Sequence, residues 1–188
     1  MTNNFIKNYK INLISTLNKI NDNAILQLSN MLINARNKYK TIFIMGNGGS
    51  AATASHFVGD LSKGALVENK PRFKAIGLTD NIPNITQWGN DINYESIFVE
   101  QLKNLLEIDD IVIGISGSGE SKNVINAIKY ANSIGAYTIS ITGYSEDNTL
   151  NKISKYHIHI PCDTMQVVED LHMIIEHMIT LMIHEEKK

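Results

Sequence analysis

Two short segments gather small hydrogen-bonding residues: Gly46-Asn47-Gly48-Gly49-Ser50 and Ser116-Gly117-Ser118-Gly119-Glu120-Ser121. Each follows a solidly hydrophobic run and leads into a helix-patterned stretch. Glycine permits close backbone approach, serine hydroxyls add donors, and a helix N-terminus presents free N–H groups carrying partial positive charge. That combination suits an anion, a phosphate above all. Neither segment fits the common nucleotide motifs. A P-loop needs a Gly-Lys-Ser/Thr ending and the dinucleotide fingerprint needs GxGxxG, of which Gly46-x-Gly48 followed by Ala51 is a degenerate version. Tight turns between strand and helix use the same residue types without any ligand, so it is the occurrence of two such loops that favours a binding site.

A second set of residues could hold a metal or move protons. His56 and Asp60 stand four apart on the helix-patterned stretch after the first loop, so both side chains leave one face. The closing stretch carries Glu169, His172, Glu176 and His177 among Leu171, Met173, Ile174, Ile175, Met178 and Ile179. Ionisable groups in a stripe that looks buried need partners, because unpaired burial is costly. His172 with Glu176 is the compact pair, whereas Glu169 and His177 lie about 12 Å apart along a helix axis and share a centre only if both lean inward or come from different subunits. A core hydrogen bond would account equally well for any one of these histidines. His157, His159 and His184 suggest no chemistry. Asn90-Asp91, after Trp88-Gly89, reads as a loop before a helix, where capping is the usual role.

The elements that must position these groups follow from periodicity. Residues 1–38 contain neither glycine nor proline, and their apolar residues recur at helical intervals; Asn21-Asp22-Asn23 marks a break between two helices. Then come five apolar runs, Thr41 to Met45, Phe73 to Leu78, Ile111 to Ile115, Tyr137 to Ile141 and Tyr156 to Ile160. Helix patterns separate or follow them at Ala51 to Ser62, Glu95 to Leu106, Ser121 to Ile134 and Thr164 to about Glu185. Continuous hydrophobicity in the first and third runs predicts strands buried on both faces. The expectation is an α/β fold, a three-layer αβα sandwich on a five-stranded parallel sheet, forming one domain over residues 1–188 with a helical prefix at 1–38 and the core at 39–188.

Composition narrows the function classes. The chain has 188 residues, one cysteine, and 17 Lys+Arg against 19 Asp+Glu for a net charge of −2. A disulfide scaffold is excluded, and nothing supports a broad basic nucleic-acid surface. No apolar run approaches the roughly 20 residues of a membrane span, and the N-terminus lacks the pattern of a secretory signal, so a cytoplasmic protein is expected.

The strings GNGGSAATASHFVGDLSKG, GND at Gly89 to Asp91, GISGSGES at Gly114 to Ser121 and the closing VEDLHMIIEH resemble the sugar isomerase (SIS) domain, in particular its phosphoheptose isomerase group. The resemblance runs from Thr41 to the C-terminus. It implies a flavodoxin-like fold and isomerisation of sedoheptulose 7-phosphate to a heptose 7-phosphate, feeding nucleotide-activated heptose for lipopolysaccharide or capsule. It further implies a cytoplasmic homotetramer with active sites between subunits. Carried over by motif, the substrate contacts fall on Asn47, Gly48, Gly49, Ser50, Asp60, Asn90, Asp91, Ser116, Gly117, Ser118, Ser121 and Glu169. The implied metal set, for zinc, is His56, Asp60, Glu169 and His177, with Asp60 and His177 also catalytic.

Four positions depart from the pattern of that group. Asp60 stands where Glu is usual, Glu169 where Gln is usual, Gly117 where Thr is common and Gly64 where Arg is common, with Lys63 beside it as a substitute charge. The shorter Asp60 side chain retracts its carboxylate by about an ångström, enough to affect proton transfer. The resemblance also leaves room for an isomerase of another sugar phosphate, and for a non-catalytic SIS protein that binds a phosphosugar as regulator or assembly factor.

Overall fold

The structure is a computed structural model and describes residues 2–187; Met1 and Lys188, the end points of the expected domain, lie outside the described residues. Two helices come first, α1 (Thr2–Leu17) and α2 (Asp22–Asn37). The break falls at the expected place because Asn21 caps α2, its side-chain oxygen accepting from the backbone N–H of Asn23 and Ala24. The core then alternates as β1 (Thr41–Gly46), α3 (Gly49–Ser62), β2 (Lys74–Gly77), α4 (Ile82–Asp91), α5 (Val99–Leu105), β3 (Ile111–Ser116), α6 (Lys122–Ile134), β4 (Tyr137–Thr142), α7 (Thr149–Ile153), β5 (Tyr156–His159) and α8 (Met165–His184).

All five strands are parallel, in the order β2-β1-β3-β4-β5. The period of two in each strand sends alternate side chains to two separate cores. From β1, Ile42 and Ile44 join a core built with α2, α3 and α8, while Phe43 and Met45 join one built with α5 and α6. From β3, Ile111, Ile113 and Ile115 enter the first core and Val112 the second. Helices therefore cover both faces, which is the three-layer arrangement that near-continuous hydrophobicity predicted. Among the described residues, no helix is long and apolar enough to cross a membrane.

The structure corrects two local readings and adds two short helices that periodicity did not show. Asn90 and Asp91 end a helix, α4, instead of lying in a loop before one. Pro83 occupies the first turn of α4, where no N–H is required, and Asn81 caps the helix by accepting the N–H of Asn84. The helix expected from Glu95 to Leu106 divides into a 3₁₀ turn at Tyr94–Ser96 and α5. Finally, α7 has five residues, too few for periodicity to reveal, and relies on Asn148, which accepts from the N–H of Asn151.

Strands β1 and β3 are neighbours, yet the chain leaves them toward opposite edges of the sheet. Their carboxyl ends thus flank the topological switch point, the usual ligand crevice of an open parallel sheet. Both Gly/Ser loops emerge there.

Candidate active site

The two loops meet in a cleft of about 240 Å³ lined by Asn47, Gly48, Gly49 and Ser50 from one side and by Ser116, Gly117, Ser118 and Ser121 from the other. Gly48 adopts a left-handed backbone (φ +54°) as the chain turns from β1 into α3, a turn that a side chain would strain. Asn47 and Asn123 exchange two amide hydrogen bonds, at 2.9 and 2.8 Å, which tie the first loop to the start of α6. Tyr94 donates its hydroxyl to Asn47 Oδ1 at 2.9 Å. In the second loop, Ser116 Oγ lies 3.1 Å from Ser121 Oγ and accepts the N–H of Gly119 at 3.1 Å, while Ser118 Oγ accepts the N–H of Glu120 at 3.2 Å. Three hydroxyls are thereby held close together at the head of α6.

Helix α8 closes the remaining side through Met165 and Glu169. Met165 accounts for Gly117: a Cβ there would overlap the thioether, so a threonine would require the Met165 side chain to move aside. The Glu169 carboxylate lies against Gly49 so closely that any side chain at that position would collide with it. An acidic group beside the first turn of α3 is favoured by the helix dipole.

Farther along the same two helices, a second cluster forms. His56 Nε2 and His177 Nε2 approach to 3.1 Å, His56 Nε2 lies 3.8 Å from Asp60 Oδ2, and His177 Nε2 lies 3.5 Å from Glu176 Oε2. One candidate ligand atom from each of these four residues lies within 4.8 Å of the others. Two nitrogens on one tetrahedral ion at about 2 Å stand about 3.3 Å apart, close to the histidine separation seen here. The donor types, two imidazoles and two carboxylates, suit a divalent ion such as zinc. Without an ion, one ring must keep its Nε2 proton and donate to the other. Burial, followed by the charge of Asp60, pushes the Glu176 carboxyl up to about 8.

The structure thus unites Asn47, Gly48, Gly49, Ser50, Ser116, Gly117, Ser118, Ser121 and Glu169 at one cleft, and His56, Asp60 and His177 at a neighbouring cluster. Glu169 stands with the loops and outside the histidine cluster. Asn90 and Asp91 are exposed, bonded to each other at 2.9 Å, and do not line the cleft. His172 does not pair with Glu176: it is fully buried and neither ring nitrogen has a hydrogen-bond partner, so desolvation lowers its pKa to about 4. Sequence reasoning did not place Met165 at the cleft or Asn123 and Tyr94 against Asn47, and it paired Glu176 with His172 where the structure sets it against His177.

Fold and loops define the class, a doubly wound parallel α/β protein with its crevice at the β1/β3 switch point. The SIS domain family matches residues 5–143, and the chain belongs to it. Within that family it is similar to the phosphoheptose isomerases. It is 38% identical over 149 residues to the phosphoheptose isomerase of Geotalea daltonii, covering 79% of this chain and 77% of that protein. The phosphoheptose isomerase of Aliarcobacter butzleri is 36% identical over 145 residues, 77% of this chain and 76% of the relative. A solved phosphoheptose isomerase from Francisella tularensis superposes with a TM-score of 0.88 at 27% identity, covering 98% of this chain and 96% of that one.

Proposed function

We propose that this chain is an aldose–ketose isomerase that converts sedoheptulose 7-phosphate to D-glycero-D-manno-heptose 7-phosphate, supplying activated heptose for lipopolysaccharide or capsule in the cytoplasm. The observation that carries this reading is the pairing of a three-serine loop with an acid–imidazole cluster on the helices that leave the same crevice. Ser116, Ser118, Ser121 and the free N–H groups at the head of α6 receive the phosphate. Asn47, Gly48, Gly49 and Ser50 face the sugar chain, and Glu169 accepts from its hydroxyls. Asn90 and Asp91 are proposed as outer substrate contacts.

From Gly49 to His56, α3 climbs seven residues, about 10 Å along its axis. That spacing suits a sugar whose phosphate sits several carbons from its carbonyl, so that binding energy at the remote phosphate orients the reacting end. Asp60 removes the proton from the carbon beside the carbonyl, and His177 carries protons between the two oxygens of the enediol. His56, Asp60 and His177 are residues that would hold a divalent ion. When bound, such an ion, zinc by donor type, polarises the carbonyl and hydroxyl oxygens.

His56, Asp60 and His177 lie beyond the loop cleft along α3 and α8, so the proposed site is an elongated one, and we propose that a second copy in a homotetramer covers its open side. The exposed Phe5, Ile6, Ile11 and Ile14 of α1 offer the apolar surface for assembly.

The test is deuterium exchange at the carbon beside the carbonyl, measured for purified protein against a panel of ketose phosphates. Exchange with sedoheptulose 7-phosphate is expected. Exchange with a different sugar alone would move the substrate assignment, and binding without exchange to any sugar would replace the enzyme by a phosphosugar-binding regulator.

A further inference from the structure

Glu176 has no part in the isomerisation steps above. Its side chain is 0% exposed, Oε2 has no donor, Oε1 has the Thr180 hydroxyl at 3.4 Å, and the polar group facing it is a second carboxyl, that of Asp60, with which it can pair only through a shared proton or cation. Its neighbours on the same helix, Ile175, Ile179 and Ile183, are fully buried apolar side chains. A carboxylate in such surroundings is strongly destabilising unless a cation or proton offsets its charge, and a leucine would fill the space without that cost. The carboxylate is also aimed. Oε2 lies 3.5 Å from His177 Nε2, and one oxygen of the carboxylate falls within the 4.8 Å envelope shared with His56 and Asp60.

Glu169 occupies a different place. It precedes Glu176 by seven residues on α8, about 10 Å along the axis, and its carboxylate rests against Gly49 at the other end of α3. We propose that Glu176 is the fourth protein ligand of a divalent-metal site in this chain, together with His56, Asp60 and His177, in the place that motif resemblance gives to Glu169. The inference rests on the metal-dependent part of the function proposed above.

The carboxylates would hold the ion from the protein side, since the Glu176 side chain is 0% and the Asp60 side chain 31% exposed. The half-exposed imidazoles, at 45% for His56 and 48% for His177, leave the outer side open to a substrate oxygen. Open coordination of this kind distinguishes a catalytic site from a closed structural one. Glu169 is thereby free to serve the sugar hydroxyls near the loops.

The test uses the full chain, stripped of metal and titrated with Zn²⁺ by calorimetry and with Co²⁺ by visible absorption. Wild-type protein should bind one ion per chain. Glu176→Gln should bind at least about tenfold more weakly and shift the cobalt bands, while Glu169→Gln should keep wild-type affinity and spectrum. The reverse pattern, with Glu169→Gln impaired and Glu176→Gln unchanged, overturns the assignment. If Glu176→Gln fails to fold, the zinc-induced rise in melting temperature is compared for Glu176→Asp and Glu169→Gln. A smaller rise in Glu176→Asp alone supports the proposal; a smaller rise in Glu169→Gln alone refutes it. Absence of binding by wild-type protein removes the metal site altogether, whereas the isomerase reading stands or falls separately on deuterium exchange.

Discussion

His172 makes the stability of this protein dependent on pH in a way that can be worked through. The side chain is fully buried in α8, has no hydrogen-bond partner at either ring nitrogen, and desolvation holds its pKa down to about 4 from the ordinary 6.5. Because the folded pKa is depressed, the unfolded chain binds the extra proton first as pH falls. Stability is therefore intact above pH 6.5, declines through the interval between 6.5 and 4, and levels off below. At 1.36 kcal/mol per unit, the full decline amounts to about 3 kcal/mol, and about 2 kcal/mol of it is lost by pH 5. That is a large share of the 5–15 kcal/mol typical of a domain. The assay is urea denaturation of wild type and His172→Leu at half-unit steps from pH 7.5 to 4.5, with chelator present so that metal release does not contribute. His159, also lowered by burial, pushes wild type and variant in the same direction and cancels in their difference. The stability of wild type relative to the variant should fall by about 2 kcal/mol between pH 7 and pH 5. A constant difference across that range would refute the buried, unpartnered imidazole.

Three further outcomes are expected. Asp60→Asn and His177→Ala should each retain the wild-type circular dichroism spectrum while kcat drops by about 10² to 10⁴, the usual contribution of a positioned acid or base; near-normal turnover in either would remove it from the chemistry. Gly117→Thr should destabilise the protein by about 1–3 kcal/mol through overlap with Met165, and Met165→Ala in the same chain should recover part of the loss in thermal melting. Ile14→Asp on the exposed face of α1 should yield smaller species than wild type in sedimentation, and an unchanged assembly would move the interface elsewhere.

The strands were legible because they are buried on both faces: Ile111-Val112-Ile113 needs no partner information to read as the centre of a parallel sheet, and the structure puts all three at 4% exposure or less. The Asn21 break was legible because capping is local. So was His56 with Asp60, since helix geometry alone puts them on one face. What could not be read depended on distant chain segments. Helix α4 buries no residue, so it has no apolar stripe to show. Gly117 has its meaning only once Met165, 48 residues later, is seen against it. The setting of Glu176 follows from how α8 lies along α3, which no local pattern encodes.

That packing is what connects the two halves of the site. Glu169 meets Gly49, His177 meets His56, and Thr180 lies where a Cβ on Gly64 would come within 2.9 Å of its methyl group. The partner residue on α8 advances as the residue on α3 advances, with offsets that agree to within about one and a half helical turns, so the helices run side by side in the same direction. Glycine at both ends of this stretch lets the backbones approach, which also gives a physical reason for the departure at Gly64: an arginine would have to displace Thr180, itself packed beneath Glu176. The Asn47–Ser50 loop, which faces the serine loop across the cleft, and the acid–imidazole cluster are therefore spaced by the length of α3, a rigid element, instead of by a loop. The distance between the cleft and the reacting carbon is then set by the helix. A substrate shorter by several carbons could satisfy the serine loop or reach Asp60 but not both, and it should show phosphate-dependent binding with little proton exchange.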